Sequence, residues 1–145
     1  MKKSFLMNFR SLYIVDTFIE VMYKRVKTGE WQTPEITPDE LYALMQSNKT
    51  PILLYVLRMV GEDGLIPDIK LIHTRKLLGY LERLEPYKDK PFVIVCGGGG
   101  MSLVAAEIMI KAGFKDVKSL NGGMQLWKQK GYPIDSYDKL INRKK

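Results

Sequence analysis

The chain has 145 residues, 46% of them hydrophobic and 27% charged, which is enough for one globular domain with a real core. A single cysteine, Cys96, excludes an internal disulfide and any multi-cysteine metal site, and a single histidine, His73, excludes a histidine-rich one. The formal charge of +7 sits mostly at the ends, and no basic stripe interleaved with aromatics or nucleic-acid motif accompanies it, so solvated basic termini are expected rather than a nucleic-acid surface.

No apolar run approaches the roughly 20 residues that cross a bilayer, so no transmembrane segment is expected. Lys2-Lys3 followed by Ser4–Phe9 briefly imitates a signal peptide, but Arg10, Asp16 and Glu20 interrupt the apolar stretch. The pattern predicts instead an amphipathic helix from about Leu6 to Val26, with Leu6, Phe9, Tyr13, Phe18, Val21 and Met22 on its apolar side and Gly29 ending it. An extra layer packed on the domain is the simplest use for it; a dimer contact or a membrane-surface contact are the alternatives. Thr37-Pro38-Asp39-Glu40 opens a second helix, with Thr37 at the N-cap and Glu40 at the capping-box position. Asn48–Pro51 turns the chain, and Ile52–Leu57 reads as a buried strand. Gly61–Pro67 reads as a loop, Arg75–Leu84 as a helix through Leu77, Leu78, Leu81 and Leu84, and Pro86–Pro91 as its break.

Phe92–Val95 is a second buried strand that delivers Cys96 into Gly97-Gly98-Gly99-Gly100. A helix follows from Ser102 to about Ala112, with Gly113 as its stop. A thiol at that junction faces a helix N-terminus and a curl of backbone N–H groups, both of which favour an anion. Val117–Leu120 is a short strand, Met124–Lys130 a last helix, and the polar tail after Pro133 is expected to fray. Strands alternating with helices predict an α/β fold around a mainly parallel sheet, whose ligands bind beyond the carboxyl ends of the strands. The expected organisation is a helical extension over 1–33, one domain over 34–134 and a basic tail over 135–145.

The glycines alone are a weak signal. The G-x-G-x-x-G frame fails at Ser102, and no Walker lysine follows. A cysteine-dependent phosphatase needs arginine six residues after the cysteine, where Ser102 stands, and a cysteine protease needs a histidine base, for which only His73 exists.

The segment from Ile36 to about Ile134 resembles the rhodanese family. Cys96 and Ser102 hold the ends of its active loop, Ala105-Ala106 with Lys111-Ala112-Gly113-Phe114 is similar to its "AA…L…GF", and Val117, Leu120, Gly122-Gly123, Trp127, Gly131 and Pro133 are similar to its "V..L.GG...W...G.P". Ile36–Leu41 resembles its first-helix entry. The resemblance implies a rhodanese-like fold and sulfane-sulfur transfer through a persulfide on Cys96. Backbone N–H groups from Gly97, Gly98, Gly99, Gly100 and Met101 to Ser102 would hold the anion, and Ser102 would add a hydroxyl or cap the helix. It implies no cofactor and no metal, a small sulfur donor and a thiol or acceptor protein as partners, and, with the lone cysteine, a cytoplasmic setting.

The loop departs from the family pattern. Gly97 replaces the usual basic residue and Met101 the usual arginine, while Tyr55 and Leu65 stand where the family has a structural Asp and His. Arg58 could restore some charge if it folds toward the loop. Thiosulfate is therefore expected to be a poor donor, and Met101 is expected at the pocket mouth. The alternative reading is a catalytically silent rhodanese-like module for protein binding or redox sensing; a third is an unrelated small α/β protein whose glycine loop binds an anion or nucleotide.

Overall fold

A computed structural model describes residues 12–30, 32–57, 64–73, 76–136 and 139. The elements in chain order are α1 (Leu12–Lys27), β1 (Glu35–Ile36), α2 (Pro38–Gln46), β2 (Ile52–Leu57), β3 (Gly64–Leu65), β4 (Lys70–His73), α3 (Leu77–Leu84) with a 3₁₀ turn at Glu85–Tyr87, β5 (Pro91–Val95), α4 (Met101–Lys111), β6 (Asp116–Leu120), α5 (Gly123–Gln129) and β7 (Asp135–Ser136). Five strands form one parallel sheet in the order β1-β6-β5-β2-β4. β5 is its central strand and pairs with β2 in the register Leu53 to Val93 and Tyr55 to Val95.

The period of two along these strands divides the core. Leu54 and Val56 of β2, Phe92 and Ile94 of β5, and then Cys96 face α1, α3 and α4. Leu53 and Tyr55, with Val93 and Val95, face α2 and α5, where Leu41, Met124 and Trp127 are buried. Strands covered on both faces read as continuous apolar runs, which is why Ile52–Leu57 and Phe92–Val95 are conspicuous in the sequence.

The Thr37 capping box forms: Thr37 Oγ1 accepts the Glu40 N–H at 3.1 Å and Glu40 Oε1 accepts the Thr37 N–H at 2.9 Å. The Thr37 N–H and then the Thr37 hydroxyl, which also donates to Glu40 Oε1 at 3.1 Å, hold the Glu40 carboxylate below the usual range. α4 ends at Gly113 (φ +101°), whose N–H reaches Ile110 O at 3.0 Å while Phe114 N–H reaches Met109 O at 3.0 Å. This is a Schellman stop, and it sets Phe114 edge-on against Phe92.

Several expectations need correction. The segment Gly61–Pro67 is not all loop, and the tail does not simply fray: Gly64–Leu65 pairs antiparallel with Asp135–Ser136. β1 and β4 are additional strands, and His73 lies half-buried on the sheet-edge strand β4. Helix α3 runs from Leu77 to Leu84, and Arg75, the expected start, lies outside the described residues. Helix α1 does pack on the domain as an extra layer, burying Met22 and Val26 in the core it shares with α4. Val21, assigned to its apolar side, is 46% exposed. The first residues of the expected helix, and Arg58 with its expected approach to the loop, lie outside the described residues. None of the described helices is long and apolar enough to cross a membrane.

Candidate active site

β5 carries Cys96 to the carboxyl edge of the sheet, where its thiol is 5% exposed. Sγ accepts the N–H of Gly99 at 3.1 Å and the N–H of Ser102 at 3.3 Å. It also lies 3.4 Å from Ser102 Oγ. Helix α4 begins at Met101 behind Gly100, which offers no side-chain cap. In its first turn the Leu103 N–H closes back on Gly100 O at 3.2 Å, while the Ser102 N–H turns to the sulfur.

Of the N–H groups expected to line the loop, those of Gly99 and Ser102 donate to Sγ. Gly97 and Gly100 are half-buried and Gly98 is exposed. Met101 is half-buried against the core. Ser102 does not cap the helix: it sits inside the first turn, fully buried, with its hydroxyl 2.7 Å from Ser119 Oγ on β6. Ser119 is also fully buried, and the pair satisfies two buried hydroxyls, of which that of Ser102 lies 3.4 Å from the sulfur. Sequence reading did not single out Ser119, because the contact spans 17 residues and serine has no signature in a strand. Tyr55 and Leu65 are both buried in the α2/α5 core.

The loop is held from the far side by α5. The N–H of Met124 donates to Cys96 O at 2.8 Å and the N–H of Gln125 donates to Gly97 O at 2.9 Å. Gly123, at φ +57°, makes that approach possible: a β-carbon there would stand 2.4 Å from Cys96 O and 2.7 Å from Gly97 O. Gly122-Gly123 is thus a seat for the cysteine loop as well as a strand-to-helix turn.

The other end of α5 is fixed by an aromatic cluster. Trp127 lies 5.0 Å from the Tyr132 ring, Tyr132 stacks on Tyr42 of α2 at 4.4 Å, and Trp127 Nε1 donates to Pro133 O at 2.9 Å. Asp39 accepts from the Tyr132 hydroxyl and from Lys130 Nζ. The Tyr132 bond first, then Lys130, hold Asp39 below the usual carboxylate range, and the same bond raises Tyr132. On α4, buried Glu107 accepts from Thr33 Oγ1 at 3.0 Å and pairs with Lys111 at 3.6 Å, pinning the chain before β1 to the helix behind the sulfur. Among the described residues, no group of three or more His, Cys, Asp or Glu could hold a metal ion.

The arrangement is a buried free thiol in a backbone cradle, with no charged side chain in residues 97–102. The chain is similar to several known proteins. The thiosulfate sulfurtransferase GlpE of Pseudomonas syringae is 34% identical over 67 residues, 46% of this chain and 61% of that protein, so the match spans about three fifths of the relative's length. A rhodanese-like domain protein from Staphylococcus aureus superposes with a TM-score of 0.56 at 31% identity, over 72% of this chain and all of that one. A Rhodopseudomonas palustris protein of unknown function, described as a possible tyrosine phosphatase, superposes with a TM-score of 0.66 at 25% identity, over 81% of this chain and 93% of that one. The rhodanese-like domain family matches residues 37–130, from the capping box of α2 to the end of α5. On that match and the parallel sheet that ends in the Cys96 loop, the chain belongs to the rhodanese-like domain family.

Proposed function

We propose that this protein carries and transfers sulfane sulfur as a persulfide on Cys96. The observation that carries the reading is the pair of N–H groups, from Gly99 and Ser102, aimed at a buried sulfur. In the loading step the Cys96 thiolate attacks the outer sulfur of a donor. The donor's S–S bond breaks, a thiolate or sulfite leaves with the bonding pair, and Cys96–S–S⁻ forms. An acceptor thiolate or cyanide then attacks the terminal sulfur and restores the Cys96 thiolate, so no oxidant or reductant is consumed. Backbone donors fixed before the reaction stabilise the anionic persulfide without reorganisation.

The donor is a persulfidated thiol rather than thiosulfate. A charge-assisted hydrogen bond is worth roughly 1.5–3 kcal/mol, and the loop offers none from a side chain. Gly97 and Met101 together forgo two such bonds, roughly 3–6 kcal/mol, or about a hundredfold or more in affinity for a dianion. A phosphatase reading is disfavoured for the same reason: Ser102, in the position a phosphate-clamping arginine would need, is buried and bonded to Ser119. The charge-free loop also suits the silent binding module, and one experiment separates the two. Incubated with an alkyl persulfide, the wild-type protein gains one sulfur faster than it does with thiosulfate; no gain from either donor overturns the proposal.

A further inference from the structure

The segment matched by the family begins at residue 37, yet a residue before it touches the cysteine loop. Tyr23 of α1 lies against Gly100: a β-carbon on Gly100 would stand 2.7 Å from both Cε1 and the hydroxyl oxygen of Tyr23. The phenol therefore meets the loop with its hydroxyl edge. Its own helix places the ring. Met22 and Val26, its neighbours on the helix, are buried in the core that also contains Cys96 and Val104. Lys27 Nζ lies 5.7 Å from the ring centroid, a cation–π distance. Gly100 has no side chain where Tyr23 stands, so the last glycine of the loop and the tyrosine of the added helix form one packed unit. At the opposite flank, Gln125 Oε1 is 3.8 Å from where a β-carbon of Gly98 would be.

The rim of the thiol loop thus carries two neutral hydrogen-bonding side chains, a phenol on the α1 side and an amide on the α5 side. We infer that Tyr23 is a donor-recognition residue of the Cys96 site, supplied by the N-terminal helix, and that the site takes thiol persulfides. The inference rests on the sulfur-transfer reading above and names a residue that recognises its persulfide donor. The phenol donates a hydrogen bond to the outer part of an incoming alkyl persulfide and narrows the mouth beside Gly100. A neutral donor can serve a monoanionic persulfide without the full cationic clamp that a dianion requires.

Tyr23→Phe keeps the ring and removes the hydroxyl; Tyr23→Ala removes both. Two readouts separate the inference from the reading it rests on. In the first, sulfur loading from glutathione persulfide is followed by intact-protein mass against donor concentration. Tyr23→Phe is expected to raise the half-saturating concentration about 2–10-fold, the effect of one ordinary hydrogen bond, with the loading plateau unchanged. An unchanged half-saturation overturns the recognition role. In the second, Cys96 is alkylated with iodoacetamide, which needs no sulfur chemistry. Tyr23→Ala is expected to react several-fold faster than wild type and Tyr23→Phe at the wild-type rate. Equal rates for all three mean that Tyr23 does not cover the loop and overturn the inference. Wild-type protein that fails to load sulfur while Tyr23→Ala still alkylates faster overturns both the sulfur-transfer reading and the recognition role, leaving Tyr23 as a wall only. A melting temperature within a few degrees of wild type shows that each variant is folded.

Discussion

Gly123→Ala tests how the cysteine loop is held. The added methyl would stand 2.4 Å from Cys96 O and 2.7 Å from Gly97 O, both backbone atoms with no rotamer to yield. An L-residue at φ +57° costs about 1–2 kcal/mol in its own backbone. Relieving the clash pushes α5 from the loop and breaks the Met124 and Gln125 bonds to those carbonyls, each worth about 0.5–1.5 kcal/mol net. The sum is roughly 2–5 kcal/mol, or a Tm lower by roughly 6–20 °C for a chain of this size. Urea unfolding of wild type and variant gives the difference directly, provided the slope is unchanged. Gly79→Ala is the internal control: Gly79 lies in α3, a β-carbon there meets nothing within 4 Å, and alanine is expected to stabilise by about 0.5–1 kcal/mol. A Gly123→Ala variant within about 0.5 kcal/mol of wild type would refute the close approach of α5 to the loop.

Other consequences follow from the same geometry. Ser119→Ala leaves the buried Ser102 hydroxyl without its 2.7 Å partner and is expected to cost about 1–3 kcal/mol in urea unfolding; no loss would mean the pair is not a buried bond. Met101→Arg puts a cation at the start of α4 beside the loop and is expected to raise thiosulfate affinity roughly tenfold or more, read as the concentration that half-loads Cys96. The Asp39–Tyr132 bond gives stability a dependence on pH at both extremes. Asp39 is depressed when folded, so its contribution is present above its unfolded value of 3.8 and lost as pH falls through the lower folded value. Tyr132 is raised when folded, so its contribution is present below 10.0 and lost as pH rises through the higher folded value. Tyr132→Phe is expected to flatten both limbs of a Tm-against-pH curve, and an unchanged curve would contradict the bond.

What the sequence disclosed was set by local chemistry. The capping box at Thr37–Glu40, the Gly113 stop and the doubly buried strands Ile52–Leu57 and Phe92–Val95 each declare themselves within a few residues, and each is formed. Lys70–His73 gave no such signal, because a four-residue edge strand exists through its pairing with β2 rather than through its own pattern. Gly64–Leu65 and Asp135–Ser136 are strands only because they meet across about 70 residues. The thiol and its glycine loop were legible because the residue types are rare and adjacent. The rest of the site was not: Ser119, Tyr23 and the N–H groups of Met124 and Gln125 reach the loop from other elements. For Ser102 the resemblance leaves two roles open, a hydroxyl at the site or a helix cap; the helix begins one residue earlier, which rules out the cap and turns that hydroxyl inward.

The central claim is that Cys96 carries sulfur. Its most direct test is the intact mass of the protein after exposure to thiosulfate, polysulfide and glutathione persulfide, with Cys96→Ser as control. The expected result is a gain of one sulfur atom on wild type only, fastest from the persulfide and removed by cyanide. No gain from any donor, while iodoacetamide still alkylates Cys96, would contradict sulfur carriage and leave a rhodanese-like module whose thiol serves another purpose.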